Sequence, residues 1–436
     1  MKKILILSYH SLPLDVIASY RANAYLKHLK KFGFEPTLLT HFLGMDSDHH
    51  ALREEYNYGT IIRIPFEKSL VSRFFEFLEK IPYLNKASIL LRWASGYLDS
   101  DPKAIRSYEA MKNYCFKQVD FKEYHLVVGI FSPHHHLRIC YKIHRRYKIP
   151  YVLDFRDLWN NRVIHNYYIP NQIEKIQDAL TKRYWKKWLS KASFFTITSE
   201  AWKNKIQEFT STKGYIITNG YDAEAFENFD MVGSNSEFVL LYAGTLYEHQ
   251  RLDIFLQGCH SFIENHQPDK FKVKFIGSDR PVMVRCKVSG FMYQPKKRIL
   301  DKLNSNYCEV IRRIPKVELF KEMEHSQLLL FPGFPDAPGT HTGKIFDYLG
   351  ARRNILMVGD DHDVVGNMIR ETNAGVIKNT PNGVSEYLMS IYNQWMEIKT
   401  TAYSGNVAAI YQYSRENQVR KMGRLLTNEL TNKELC

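Results

Sequence analysis

Nowhere in these 436 residues do about eighteen apolar residues run together, the length that a membrane-spanning helix needs. The opening MKKILILSYH holds only Ile4–Leu7 as an apolar stretch, and no small-residue cleavage site follows it. It reads as a buried first strand rather than an export signal. The six cysteines, Cys115, Cys140, Cys259, Cys286, Cys308 and Cys436, form no C-x-x-C pair and no regular spacing. That scatter argues against a zinc site or a disulfide framework, and for buried free thiols in a reducing, cytoplasmic compartment. Low-complexity tracts are absent too. Apolar residues make up 44% and charged residues 24%, the balance of a globular chain with two or three domains.

Charge of negative sign is short, and unevenly so. The net charge is +14, of which residues 1–225 carry +12. An anionic partner for the first half is expected, whether nucleic acid, an anionic membrane surface or a phosphorylated acceptor. Nucleic acid finds no support, because no zinc finger, RNP-like motif or basic low-complexity arm is present.

Strand and helix patterns alternate along the chain. Lys3–Ser8, a helix over Tyr20–Phe32 ending at Gly33, and Glu35–Thr40 open a doubly wound parallel sheet. Further strands are expected at Thr60–Ile64, Leu126–Phe131, Tyr151–Phe155, Phe194–Thr198 and Tyr215–Thr218. After a polar, turn-rich linker at Asn219–Asn235 the pattern restarts with Phe238–Tyr242. Lys272–Gly277, Val310–Ile311, Leu328–Phe331, Ile355–Val358 and Gly375–Ile377 follow. The expected division is one domain over 1–225, a second over 226–404, and a closing helical segment over 405–436. Residues 66–124 interrupt the first domain with helices rich in aromatics and bases, among them Phe74, Phe75, Phe77, Leu78, Leu91 and Trp93. A basic helix over Lys175–Lys191 sets Tyr184, Trp185, Trp188 and Leu189 among lysines and arginines. Such helices lie in a membrane interface or pack on the sheet with their bases in water.

The stretch most suited to a ligand is FPGFPDAPGTHTGKIFDYL, Phe331–Leu349. A strand runs into a Gly/Pro loop that opens a helix near Lys344. Free backbone N–H groups at such a helix start, with two threonine hydroxyls and a lysine, suit a diphosphate. The loop is not a P-loop, because Ile345 stands where a Ser or Thr would meet magnesium. Asp347, one turn on, is placed to accept from ribose hydroxyls or simply to complement the helix dipole. Gly244 and Thr245 end the strand Phe238–Tyr242 where a ligand backbone can approach closely, and Arg251 follows with a fork that fits phosphate oxygens. In YVLDFRDLWNN, Asp154, Arg156 and Asp157 sit at a strand's carboxyl end. There a carboxylate can orient an acceptor hydroxyl, or form a structural pair with an arginine. His134, His135 and His136 are adjacent, so their side chains diverge, and no carboxylate or cysteine follows at ligand spacing. No metal is expected, and His135 is the candidate to meet an acceptor.

At these residues the chain resembles glycosyltransferase family 4, especially its bacterial surface-polysaccharide members. The resemblance runs through SYRANAYLKHLKKFGFEPTLLT, IPYVLDFRDLW, TITSEAWKNKI with ITNGYDAEAF, VLLYAGTLYEHQR, GTHTGKIFDYLGARRNILMV and YSRENQVRKMGRLL. It implies an α/β GT-B fold, with two Rossmann-like domains facing across a cleft and a last helix crossing back to the first domain. It also implies a retaining transfer of sugar from a UDP- or GDP-sugar that needs no metal or other cofactor. The donor would meet Gly244, Thr245, Arg251, Ile314 beside the base, Thr342, Gly343, Lys344 and, as the second acid of an E-x7-E pair, Asp347. Asp157 and Arg156 fall where many members have His-Asp. The first acid of the pair would fall at Gly339, and the glycine pair after the first strand is missing. The implied partners are a nucleotide sugar, a glycan or lipid-linked acceptor and, peripherally, an anionic membrane at the inner face of the cell. Alternatives of the same architecture are a nucleotide-sugar epimerase and a catalytically weak sugar-nucleotide-binding relative.

Overall fold

The computed structural model describes residues 1–43, 50–99, 103–160, 170–229, 236–285 and 290–434. The described chain divides into two compact units. One holds 1–160, 170–219 and 415–434, and the other holds the described residues of 220–414.

Unit 1 is built on eight strands: β1 Lys2–Leu7, β2 Phe34–His41, β3 Leu52–Tyr56, β4 Gly59–Ile64, β5 Leu126–Phe131, β6 Tyr151–Phe155, β7 Phe194–Ile197 and β8 Gly214–Ile216. They lie in the order β3-β4-β2-β1-β5-β6-β7-β8. All neighbours are parallel except the β3–β4 pair at the edge. Residues 4–7 of β1, all of β5 and all of β6 are buried; β1 and β5 read as unbroken apolar runs, as strands covered on both faces do, whereas β6 buries one charge, Asp154. β3 was not expected, because LREEY is mostly exposed and lacks an apolar face. The closing helix, Arg415–Glu434, belongs to this unit. Its Val419, Met422, Leu426 and Leu430 repeat at helical spacing and join the core that also holds Tyr25, Leu26 and Leu29. Each such burial contributes about 1.5–3 kcal/mol.

Four of the cysteines, Cys115, Cys140, Cys259 and Cys308, are buried free thiols. The expected aromatic basic helix forms over Gln172–Leu189, started by a capping box between Asn171 and Glu174. Its Trp185, Trp188 and Leu189 are buried, so this helix follows the packing reading.

Unit 2 carries β9 Phe238–Ala243, β10 Phe271–Ile276, a small antiparallel hairpin of β11 Val282–Arg285 and β12 Gly290–Tyr293, then β13 Cys308–Ile311, β14 Leu328–Pro332, β15 Asn354–Val358 and β16 Gly375–Lys378. Its six-stranded parallel sheet has the order β13-β10-β9-β14-β15-β16. The core gathers Phe238, Phe262, Phe271, Tyr392 and Trp395. Helix Leu252–His266 lies close to helix Pro381–Ile398 because Gly258 offers no side chain. A Cβ there would sit 2.5 Å from the Pro381 carbonyl oxygen.

In each sheet the strand order reverses at one place, between β1 and β5 and between β9 and β14. Ligands of open α/β sheets bind beyond the carboxyl ends of strands at such a switch point. The loops after β9 and β14 are Gly244–Arg251 and Gly333–Thr342, two segments singled out by their composition.

Candidate active site

In unit 2 the two switch-point loops meet at Lys344, the second residue of helix Gly343–Ala351. Gly244, at φ 113°, leaves β9 with its N–H donating to the Ile276 carbonyl at 2.7 Å and its carbonyl accepting from Ser278 Oγ at 2.9 Å. A Cβ on Gly244 would stand 3.3 Å from Lys344 Cε, so the glycine makes room for the lysine. Lys344 Nζ donates to the Tyr242 hydroxyl and lies 4.0 Å from the centre of that ring. Burial pushes its ammonium down to about 7. Among the described residues no carboxylate pairs with it, so the cation is held by a ring face and a hydroxyl alone.

Around this lysine, donors outnumber acceptors. Thr342 takes the N-cap position in extended backbone but its side chain caps nothing. The hydroxyls of Thr340 and Thr342 are buried, with no hydrogen-bond partner among the described residues. A buried hydroxyl without a partner is costly, and here two stand beside the free N–H groups of a helix start and an ammonium. The arrangement has the chemistry to cradle an anion. Gly339, at φ 80°, donates its N–H to Asp363 Oδ2 at 2.5 Å. Asp363 thus sets a carboxyl against Gly339, and burial raises that carboxyl above its ordinary value.

The other residues expected at a donor are Arg251, Asp347, Ile314 and Thr245. Arg251 has its backbone N–H on the Gly333 carbonyl at 3.2 Å, and left-handed Gly359 leaves room for its stem. Its guanidinium reaches Asp253 at 3.2 and 3.3 Å. Asp347 pairs with Lys316 at 3.6 Å. Ile314 lies half-buried in the loop after β13, and Thr245 is exposed with its carbonyl accepting from the Tyr242 hydroxyl at 2.8 Å.

In unit 1, Asp154 is fully buried and fully used. Arg21 grips it with Nε and Nη2, both at 2.7 Å, while Tyr25 and Thr196 donate at 3.0 and 2.5 Å. Arg21 also donates to the carbonyls of Ile217 and Thr218. Asp154 is therefore a structural tie between helix Ile17–His28, β6 and β7, and its arginine is Arg21 rather than Arg156. Arg156 instead bonds its neighbour Asp157 at 2.8 Å, with both side chains partly exposed. His10, on the loop after β1, is lowered to about 4, chiefly by burial and then by the charge of Arg156. His135 lies buried, with Nε2 3.0 Å from Ser107 Oγ, which also meets His41 Nε2 at 2.7 Å. Burial lowers His135 to about 3, so it is a neutral imidazole. His136 turns to the Ile130 carbonyl and His134 accepts from Trp185 Nε1. The three rings serve three different partners, and among the described residues no group with metal-ligand geometry forms.

The structure thus brings Gly244, Thr342, Gly343 and Lys344 together, with Asp347 one turn on in the same helix and Arg251 at the end of the loop after β9. Arg156 and Asp157 form a second pair in unit 1, and no described contact joins His135 to Asp157. The sequence reading missed Tyr242 as the seat of Lys344, Asp363 beside Gly339, and Arg21 as the partner of Asp154. Only Tyr242 carried a signal, as a polar tip at the end of an apolar strand.

Two parallel-sheet Rossmann-like units in this order make the GT-B fold, as seen in glycosyltransferases. Among solved structures, the chain is similar to sucrose-phosphate synthase from Thermosynechococcus elongatus. There the identity is 12% and the TM-score 0.60, over 99% of this chain and 100% of that one. A glycosyltransferase from Rickettsia africae matches at 12% identity and TM-score 0.58, over 99% of each chain. A trehalose-6-phosphate structure from E. coli bound with UDP-2-fluoro glucose matches at 8% identity and TM-score 0.60, over 98% of this chain and 99% of that one. No protein-family model and no curated protein sequence matches the chain.

Proposed function

We propose that this protein is a retaining glycosyltransferase of the family 4 kind. Unit 2 binds a UDP- or GDP-sugar, and unit 1 binds a glycan or lipid-linked acceptor in surface-polysaccharide synthesis. The observation that carries the reading is the Lys344 cradle, a half-buried lysine without a carboxylate beside two buried threonine hydroxyls that lack a partner among the described residues, at a helix start. Those groups suit the diphosphate of a donor, with Arg251 at its flank, Asp347 toward the ribose and Ile314 toward the base. Solved structures with this fold support it, among them one bound with UDP-2-fluoro glucose.

In the reaction, the bond from the anomeric carbon to the diphosphate oxygen breaks and the acceptor oxygen bonds to the same face. Negative charge grows on the leaving diphosphate, where Lys344 and the N–H groups of the helix start stabilise it. The acceptor's hydroxyl proton passes to the diphosphate or to Asp157. Arg156 orients Asp157, and neutral His135 backs the acceptor side. The +12 charge of residues 1–225 suits an acceptor that carries phosphate or sits in an anionic membrane.

The test is the release of nucleoside diphosphate when UDP- or GDP-sugars and lipid-linked glycan acceptors are mixed with the protein. Release that requires both substrates is expected. A new sugar isomer formed from donor alone would assign an epimerase instead, and no turnover with bound donor would assign a binding protein.

A further inference from the structure

Helix Leu70–Lys80, in the insertion of unit 1, has its amphipathicity reversed. An ordinary surface helix turns its apolar stripe to the core. Here Leu70, Phe74 and Phe77, at i, i+4 and i+7, form one stripe that faces out, 83%, 50% and 61% exposed. The polar side faces in. Ser72 is buried, Glu76 pairs with Arg106 at 2.5 Å, and Glu79 pairs with buried Arg92 at 3.0 Å. Phe75 is the buried apolar anchor from that side, against Tyr97. Exposed apolar residues continue past the helix with Tyr83, 94% exposed, Leu84 and Leu91.

The charges sort in the same way. Both acids of the helix pair with arginines, Glu79 with buried Arg92 and Glu76 with half-buried Arg106, whereas Lys68, Arg73 and Lys80 remain exposed along the stripe. The outward face is therefore apolar with a cationic border. A second copy of this chain would set those bases against one another, and an anionic surface neutralises them. Helix Gln172–Leu189 differs in burying its tryptophans, with Lys186 and Lys187 exposed beside them.

The geometry points to the segment Leu70–Leu91 as a docking surface for an anionic phospholipid bilayer, with Leu70, Phe74 and Phe77 entering the interface and Lys68, Arg73 and Lys80 on the headgroups. The inference rests on the reading of a membrane-borne acceptor and names the part of the chain that meets the membrane. Among the described residues no helix is long and apolar enough to cross a membrane, so the contact is peripheral.

The test is co-sedimentation of the full chain with phosphatidylglycerol–phosphatidylcholine vesicles and with phosphatidylcholine alone. Binding to the anionic vesicles is expected, and Phe74→Ser/Phe77→Ser should cut it by at least about tenfold. Nucleotide-sugar binding in solution should be unchanged in that variant. Phe74→Trp, which keeps the stripe, should show blue-shifted emission and quenching by brominated lipid. No anionic vesicle binding, undiminished binding by the double variant, or an oligomer that the double variant breaks would each overturn the inference. Vesicle binding without any transfer activity would fault the transferase reading and leave this surface standing.

Discussion

Lys344 and Tyr242, distant in sequence, form one unit in the structure, with the ammonium 4.0 Å from the ring centre and donating to the phenol oxygen. The pair ties β9 to the helix after β14, and it holds the lysine without a carboxylate to pair with it. A diphosphate arriving there would restore the charge that burial suppresses.

That suppression has a pH signature. Lys344 in the folded protein sits at about 7, below its ordinary 10.5. Between those values the unfolded chain holds a proton that the folded, empty protein has lost, so stability of the empty protein rises with pH across that window. An anionic donor favours the charged lysine, so its binding takes up a proton above pH about 7. Donor affinity should fall there by up to about tenfold per pH unit. Calorimetry in buffers of different ionisation enthalpy should detect the proton, and Lys344→Met should remove it.

Gly244→Ala tests the room beside the lysine. The new Cβ would meet Lys344 Cε at 3.3 Å at a backbone φ of 113°, a conformation that costs a side chain about 1–3 kcal/mol. Donor affinity measured by titration should drop at least about tenfold, with the fold retained by circular dichroism.

Asp154 is expected to govern stability. Asp154→Asn leaves the Arg21 guanidinium buried and uncompensated, at a cost of about 3–5 kcal/mol. Urea unfolding should show that loss. Arg21→Met/Asp154→Leu should recover most of it, since an apolar pair removes both charges.

The histidine cluster sets the acid limit. His41, His135 and His136 are all held below the ordinary 6.5 by burial, His135 at about 3. Below pH about 6.5 the unfolded chain takes up protons that the folded chain refuses. Stability should therefore fall as pH drops, by up to about 1.4 kcal/mol per unit for each histidine. Melting curves from pH 7 to 5 should show the fall, and His135→Gln should flatten it.

The sheets were legible because parallel strands buried on both faces leave long apolar runs, as in LVVGIF and FVLLYA. β3 was not, because an exposed edge strand has no such run. The anion cradle was legible in GTHTGK, where glycine and threonine precede a helix. Its depth was not, since desolvation of Lys344 depends on Tyr242 from a distant strand. Asp154 was visible as a carboxylate at a strand end, but Arg21 lies 133 residues away in sequence, and no local pattern pairs them. The Phe74–Phe77 stripe was visible as aromatics in a basic helix, and only burial decides whether it faces in or out.

The most direct test of the donor reading is a thermal-shift titration with a panel of nucleoside-diphosphate sugars. At least one UDP- or GDP-sugar should raise the melting temperature, and Lys344→Ala and Arg251→Ala should each abolish the shift. A panel in which none stabilises the protein, or a shift that survives both substitutions, would contradict the assignment of this loop to the donor diphosphate.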